Sequence, residues 1–433
     1  MTVLPTFERV PERPTRAGCR DRVFILWLAV NAASLLGDGV WLVAFAWSAI
    51  HLASPALAAV AIVGGAVPRG LFLLLGGAFA DRFRTRSVMT AVAVARVLAT
   101  GATLVVLTVA QDSIWLLIAV ALVLGATDAF YMPASMKLAR ELATDDLLRK
   151  YQSASEASSQ IAGIAGAGIG GLVFAQGGMS AAAWLNCGSF LLVLLYFTFL
   201  YPRTRTLAPQ ADHTVTTSIR GGLALVRNDR LVGSLVVVLS GSNLFVTPVT
   251  ALGLALKIAH YDWGATMLGV VIALIASGAA LGALAAGRYR GEHGFLGGVL
   301  LLVMQGAVIA CLAIPNEYAL AIGCAVLGAT LGAAGTLLSA FFVQAVPSDY
   351  IGRVAAAQNL VDELLAPALT VGFGALSRFA GVNTPFEVFG GLMCLLMLTK
   401  LRGALRAEGS LPGVPCPQGR GDSALRGQSE KVV

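Results

Sequence analysis

The sequence predicts an all-α integral membrane protein, twelve transmembrane helices in two pseudo-symmetric six-helix halves. Three observations carry that expectation. Of 433 residues, 57% are hydrophobic and only 12% charged, more apolar surface than a water-soluble core of this length needs. The apolar residues gather in runs of roughly 20, enough to cross about 30 Å of hydrocarbon as helix, without the alternation of strands. Lys and Arg, finally, are sorted: counting from a cytoplasmic N-terminus, 26 of the 30 fall in inside segments and only Lys257 and Arg378 in outside ones.

Twelve runs stand between polar punctuation, at 23–50, 56–80, 88–110, 114–136, 152–176, 181–201, 231–256, 264–286, 295–313, 318–343, 354–378 and 385–401. An even count returns both ends of the chain to one side. The chain thus divides into a cytoplasmic N-terminal tail (1–22), a first half (23–201), a cytoplasmic central loop (202–230), a second half (231–401) and a disordered cytoplasmic C-terminal tail (402–433). The first tail is Arg- and Pro-rich and the first run exceeds the core of a signal peptide, so that run is expected to stay in the mature protein.

The net charge of +7 is accounted for by this sorting, with contact to anionic lipid as a consequence; no nucleic-acid partner is implied. The six cysteines and four scattered histidines have no metal-ligand spacing, and no phosphate-binding glycine loop or dinucleotide fingerprint occurs. Neither a metal, a cofactor nor enzymatic activity is expected.

Two weak internal matches support a duplicated half. Gly77-Ala78-Phe79-Ala80 aligns with Gly282-Ala283-Leu284-Ala285 at an offset of 205. Asp146, Lys150 and Ala154 align with Asp349, Arg353 and Ala357 at an offset of 203. The second copy has Ala286 where the first has Asp81.

Ionisable groups at membrane depth carry the chemistry, since each costs roughly 2.5–3.5 kcal/mol at a helix centre and needs a partner or water. At 1.5 Å rise per residue, Asp38 and Arg69 lie roughly 22 and 18 Å deep and are expected to face each other. Arg96 and Asp128, each roughly 12 Å deep, form a second expected pair. Asp362 and Glu363, adjacent in the eleventh run, point about 100° apart, so one of them is a candidate for the cavity. Asp81, at the inner end of the second run, is placed to pair with Lys137 or Arg140; with Gly77, Arg82 and Arg86 these form a candidate conformational latch. Asn31, Trp41, Phe130, Asn243, Phe245 and Phe341 are candidates for a substrate cavity.

The segment Gly77-Ala78-Phe79-Ala80-Asp81-Arg82-Phe83-Arg84-Thr85-Arg86 resembles the loop signature of the major facilitator superfamily. Ser34-Leu35-Leu36-Gly37-Asp38-Gly39, Val67-Pro68-Arg69 and Ala129-Phe130-Tyr131-Met132-Pro133-Ala134 resemble its branch of macrolide-type and enterobactin-type exporters, as does Val346-Pro347 through Gly352-Arg353. Two departures stand out. Arg84 and Thr85 reverse the usual order of small and basic residues. Ala167 replaces the proline of an antiporter signature otherwise resembled by Gly166-Ala167-Gly168-Ile169-Gly170-Gly171.

The resemblance implies a monomeric bacterial inner-membrane secondary transporter, rocking its halves about a central cavity and driven by a proton gradient. Its expected function is export of a small amphiphilic molecule (drug, antibiotic or siderophore-like metabolite) by proton antiport, with Asp38 binding the proton in one state and releasing it in the other. An importer or proton symporter of the same fold is the alternative; a non-transporting membrane sensor is the alternative of another class.

Overall fold

The computed structural model describes residues 17–109, 113–142, 145–201, 230–289, 294–346 and 348–408, which form helices and no strand. The chain runs through α1 (Ala17–Leu52), α2 (Pro55–Val63), α3 (Ala66–Arg82), α4 (Thr85–Val109), α5 (Ile114–Leu142) and α6 (Asp145–Leu195). It continues through α7 (Arg230–Pro248), α8 (Leu254–His260), α9 (Gly264–Gly287), α10 (Gly294–Cys311), α11 (Glu317–Ala345), α12 (Ser348–Ala380) and α13 (Thr384–Glu408). Residues 202–229 of the expected central loop, and most of both expected tails, lie outside the described residues.

Ten described stretches are long and apolar enough to cross a membrane. One of them, Ile161–Leu200, is two crossings: Gly178 sits at φ 60°, ψ −158°, which ends one helix and starts the next. α12 is not among the ten, since Asp362, Glu363 and Arg378 are strung along it, yet its 33 residues span the bundle. Among the described residues twelve crossings result, as the hydropathy pattern predicts.

The second crossing differs from expectation in being interrupted, α2 and α3 meeting at Gly64–Gly65. The cause is backbone contact with α5. A Cβ added to Gly125 would lie 1.9 Å from the Gly65 carbonyl oxygen, so only glycine lets these helices approach so closely. In the second half, Gly332 of α11 meets the Ala279 carbonyl of α9 just as tightly. A further repeat appears at the thiols: Cys187 Sγ lies 3.9 Å from the Val97 carbonyl, and Cys394 Sγ lies 3.3 Å from that of Val303. The same interhelical contact thus recurs in each half.

The halves meet through α2 and α3 against α12, and α6 against α9. The tight contacts lie toward the end of the bundle remote from the start of α1. There a Cβ on Gly374 would meet the Pro55 carbonyl at 2.7 Å, and one on Gly171 the Ala265 carbonyl at 2.6 Å. This far end is closed by backbone packing, and the space between the halves lies behind it.

Candidate substrate cavity

A cavity of about 610 Å³ lies between the halves, lined by α1, α2, α3, α4, α5, α7 and α12, with Phe190 from α6. Asp38, Arg69, Asp128, Asn243, Asp362 and Glu363 each sit near the middle of their crossing, so their side chains form a polar belt at one depth. Arg96 joins it from α4. Beyond the belt, toward the closed end, the wall is apolar, with Trp41, Phe45, Ile62 and Leu124 among its residues.

The belt is internally paired. Arg96, only 8% exposed, donates to Asp128, and through Nε to Thr127 Oγ1 at 3.2 Å. Its guanidinium also lies 4.7 Å from the Tyr131 ring centroid and 5.2 Å from that of Phe190. An aromatic cage and a carboxylate together offset the cost of holding this charge inside the bundle. The depth-matched pair Arg96–Asp128 is therefore present as an ion pair.

Arg69 and Asp38, by contrast, are not paired. Arg69 reaches across to the other half, where Nη2 and Nε donate to Glu363 Oε2 at 3.0 and 3.2 Å; Asp128 lies 4.0 Å away on its own side. Asp38 lines the same cavity with no ion pair to any described base. Rotation of the helices, which sequence depth does not specify, turns Arg69 toward α12. Asn243 Nδ2 donates to Asp362 Oδ2 at 3.1 Å, leaving Asp362 Oδ1 buried without a described partner. Both adjacent acids of α12 thus line the cavity, in different roles.

The expected cavity residues divide. Trp41 and Asn243 line it. Asn31 is buried elsewhere, accepting from the Tyr131 hydroxyl at 2.7 Å and tying α1 to α5. Phe130 faces a separate apolar groove among α3, α4 and α5, with Phe72 and Phe79. Phe245 packs edge-on against Phe389 within the second half, and Phe341 stacks on Phe295 at 4.8 Å. Apolar packing within each half claims these aromatics. Sequence reasoning missed Phe190 and Thr247 in the cavity wall, which nothing local distinguishes from core residues, and it named Glu363 without its pairing to Arg69.

The sequence model of the Major Facilitator Superfamily matches residues 26–371. The chain belongs to this superfamily. Like its other members, it is a transporter with many membrane-spanning helices. It is 28% identical over 402 residues to the uncharacterized MFS-type transporter YfiS of Bacillus subtilis, covering 88% of this chain and 93% of that one. It is 26% identical over 395 residues to the multidrug efflux pump Tap of Mycolicibacterium fortuitum, covering 86% and 93%. It is 29% identical over 367 residues to the enterobactin exporter EntS of Escherichia coli, covering 79% and 83%.

Among solved structures, the nucleoside transporter NupG aligns with a TM-score of 0.65 at 14% identity, covering 89% of this chain and 99% of that one. A bacterial homologue of the human lysosomal transporter Spinster, inward-facing and unoccupied, aligns at 0.62 and 12% identity, covering 92% and 95%. Both share the fold.

The superfamily's signature loop is partly visible. Gly77 and Asp81 fall toward the end of α3 and Arg140 near the end of α5, but the side chains of Asp81 and Arg140 lie outside the described residues. Arg82 is exposed. Lys137 Nζ donates to the Phe83 carbonyl at 3.2 Å, joining the ends of α5 and α3. Arg86 donates to the Phe197 carbonyl at 2.7 Å and to that of Thr198. It thereby caps the π-helical turn Tyr196–Leu200 that ends the first half. In this conformation Arg86 is thus committed to the end of the sixth crossing.

Proposed function

We propose that this transporter exports a small amphiphilic molecule in exchange for protons, by alternating access, from the bacterial inner membrane with both termini cytoplasmic. The observation that carries the reading is the polar belt: Asp38 faces the cavity at mid-depth with no base of its own, while the neighbouring arginines are held by other acids. Such a carboxylate can take a proton when the cavity opens to one side and give it up on the other, with no partner to exchange first. The apolar wall beyond the belt suits an amphiphile, and 610 Å³ is the size of a drug-sized pocket.

The relatives named as an efflux pump and an exporter favour the outward direction. With the positive-inside orientation, the cavity closed at its far end is accessible from the cytoplasm, where an exporter loads. The proton gradient supplies the energy and no cofactor takes part; a monomer suffices, because the whole cavity comes from one chain.

The test uses everted membrane vesicles loaded with Nile red, an uncharged amphiphilic dye. Energisation should drive dye movement in the wild type, and a protonophore should abolish it. Asp38→Asn should fold with unchanged thermal stability, since no described ion pair is broken, yet lose gradient-driven transport at least tenfold. Full transport by that variant would move the coupling role to another acid of the belt. Dye movement insensitive to the protonophore would remove proton antiport.

A further inference from the structure

We infer that the cavity selects a lipophilic cation, its charge facing Asp38 and Asp362 and its apolar body lying against Trp41, Phe45 and Phe190. This deepens the export reading and rests on the cavity being the substrate site. The belt contains two bases and four acids. Arg96 is held by Asp128, and Arg69 by Glu363. Asp38 and Asp362 remain, one from each half, with no described base within ion-pair distance of either.

An independent observation comes from Asp362 itself. Asn243 holds one of its oxygens at 3.1 Å, which fixes the carboxylate; the other oxygen is out of contact with solvent and has no described donor. A carboxylate held in place with no base beside it keeps its charge uncompensated, and a cation entering the cavity supplies the missing counter-charge.

The alternatives fare worse by the same accounting. An anion finds both guanidiniums already taken, so it must displace Asp128 or Glu363 and then face the two unclaimed carboxylates. A neutral amphiphile fills the apolar wall but leaves the two unclaimed carboxylates without a counter-charge. A cation displaces nothing but water or a proton. The wall supplies the rest of the recognition: Trp41 and Phe45 lie 5.8 Å apart on one side of the chamber, with Phe190 on the cavity surface as well. Aromatic faces attract cations as well as apolar groups. The site is thus acidic at its belt and aromatic above it.

Tetraphenylphosphonium and tetraphenylborate separate these cases, since they have nearly the same size and shape and opposite charge. Binding of each to the purified full-length protein in lipid nanodiscs is measured by equilibrium dialysis. The wild type should bind tetraphenylphosphonium saturably and tetraphenylborate at least tenfold more weakly. Asp362→Asn should weaken phosphonium binding about tenfold, the size of a lost charge-assisted contact. Glu387→Gln, an exposed acid outside the cavity, should leave it unchanged.

Equal or tighter binding of the borate would overturn the proposal, as would wild-type phosphonium affinity in a folded Asp362→Asn. If that variant does not fold, the wild-type comparison of the two ions decides alone. Failure here is distinguishable from failure of the export reading: gradient-driven Nile red movement can persist without phosphonium binding, and phosphonium binding can persist without gradient-driven movement.

Discussion

Arg69 holds acids from both halves of the bundle, Glu363 at 3.0 Å across the interface and Asp128 at 4.0 Å on its own side. It links residues 294 positions apart in the chain. In the alternating access proposed above, rocking of the halves stretches this contact while the Asp128 contact shortens, so Arg69 is placed to pass from one acid to the other. The ion pair is partly exposed, which limits it to about 1 kcal/mol, roughly a fivefold shift in the balance of states. Glu363→Gln should therefore shift the population away from the conformation described here, read as a change in inter-half distances between spin labels. The charge exchange Arg69→Glu with Glu363→Arg should restore the wild-type distribution. An unchanged distribution in the single variant would make this contact passive. Depth along each helix revealed the Arg96–Asp128 pair within one half, but no depth argument reveals a partner across an interface, because docking of the halves decides which helix faces face.

Single elements show departures of the same origin. Lys257, one of the two bases that the charge pattern places outside, is completely buried in α8. Its Nζ donates to the Leu312 carbonyl, to the Ile314 carbonyl at 2.8 Å and to Asn383 Oδ1 at 3.2 Å. Asn383 in turn donates to the Tyr261 hydroxyl at 2.8 Å. The lysine thus satisfies carbonyls just past the C-terminus of α10 and ties them to the start of α13, a place where helix-end dipoles favour a cation. Lys257→Met should lower stability by about 2 kcal/mol, seen in thermal unfolding in detergent, because it leaves these acceptors without a charged donor. Phosphonium binding by the folded fraction should not change, since Lys257 is remote from the cavity. The break between α2 and α3 likewise lies where the backbone of α5 packs against Gly65. The π-helical turn Val249–Gly253 follows Pro248, whose missing N–H removes a helical bond; proline marks the place in sequence, not the form of the bend.

At the scale of the whole molecule, the orientation of the bundle rests on the distribution of Lys and Arg. Single cysteines at Asp212, outside the described residues, and at Asn316, the N-cap of α11, should label from opposite faces of intact cells in a cysteine-free background. Labelling of position 212 by an impermeant reagent from outside would invert the orientation and with it the direction of loading. The half-chain repeat was faintly legible in two short alignments; in three dimensions it is carried by the recurrent thiol–carbonyl contacts and by matched glycine packing in each half. Backbone shape persists through a duplication whose side chains have diverged, as the loss of the Asp81 equivalent at Ala286 illustrates.

By itself the sequence determined the membrane, the number of crossings, the superfamily and the mid-depth charges. Each of these follows from one-dimensional quantities, namely apolar run length, basic-residue sorting, a contiguous signature and position along a helix. Only the tertiary structure decided which charges meet, which aromatics line the cavity and which carboxylates stay unclaimed. Those depend on helix rotation and on the docking of two halves. Both are set by close packing among small residues such as Gly65, Gly125 and Gly374, contacts between segments distant in the chain that no single run of residues encodes.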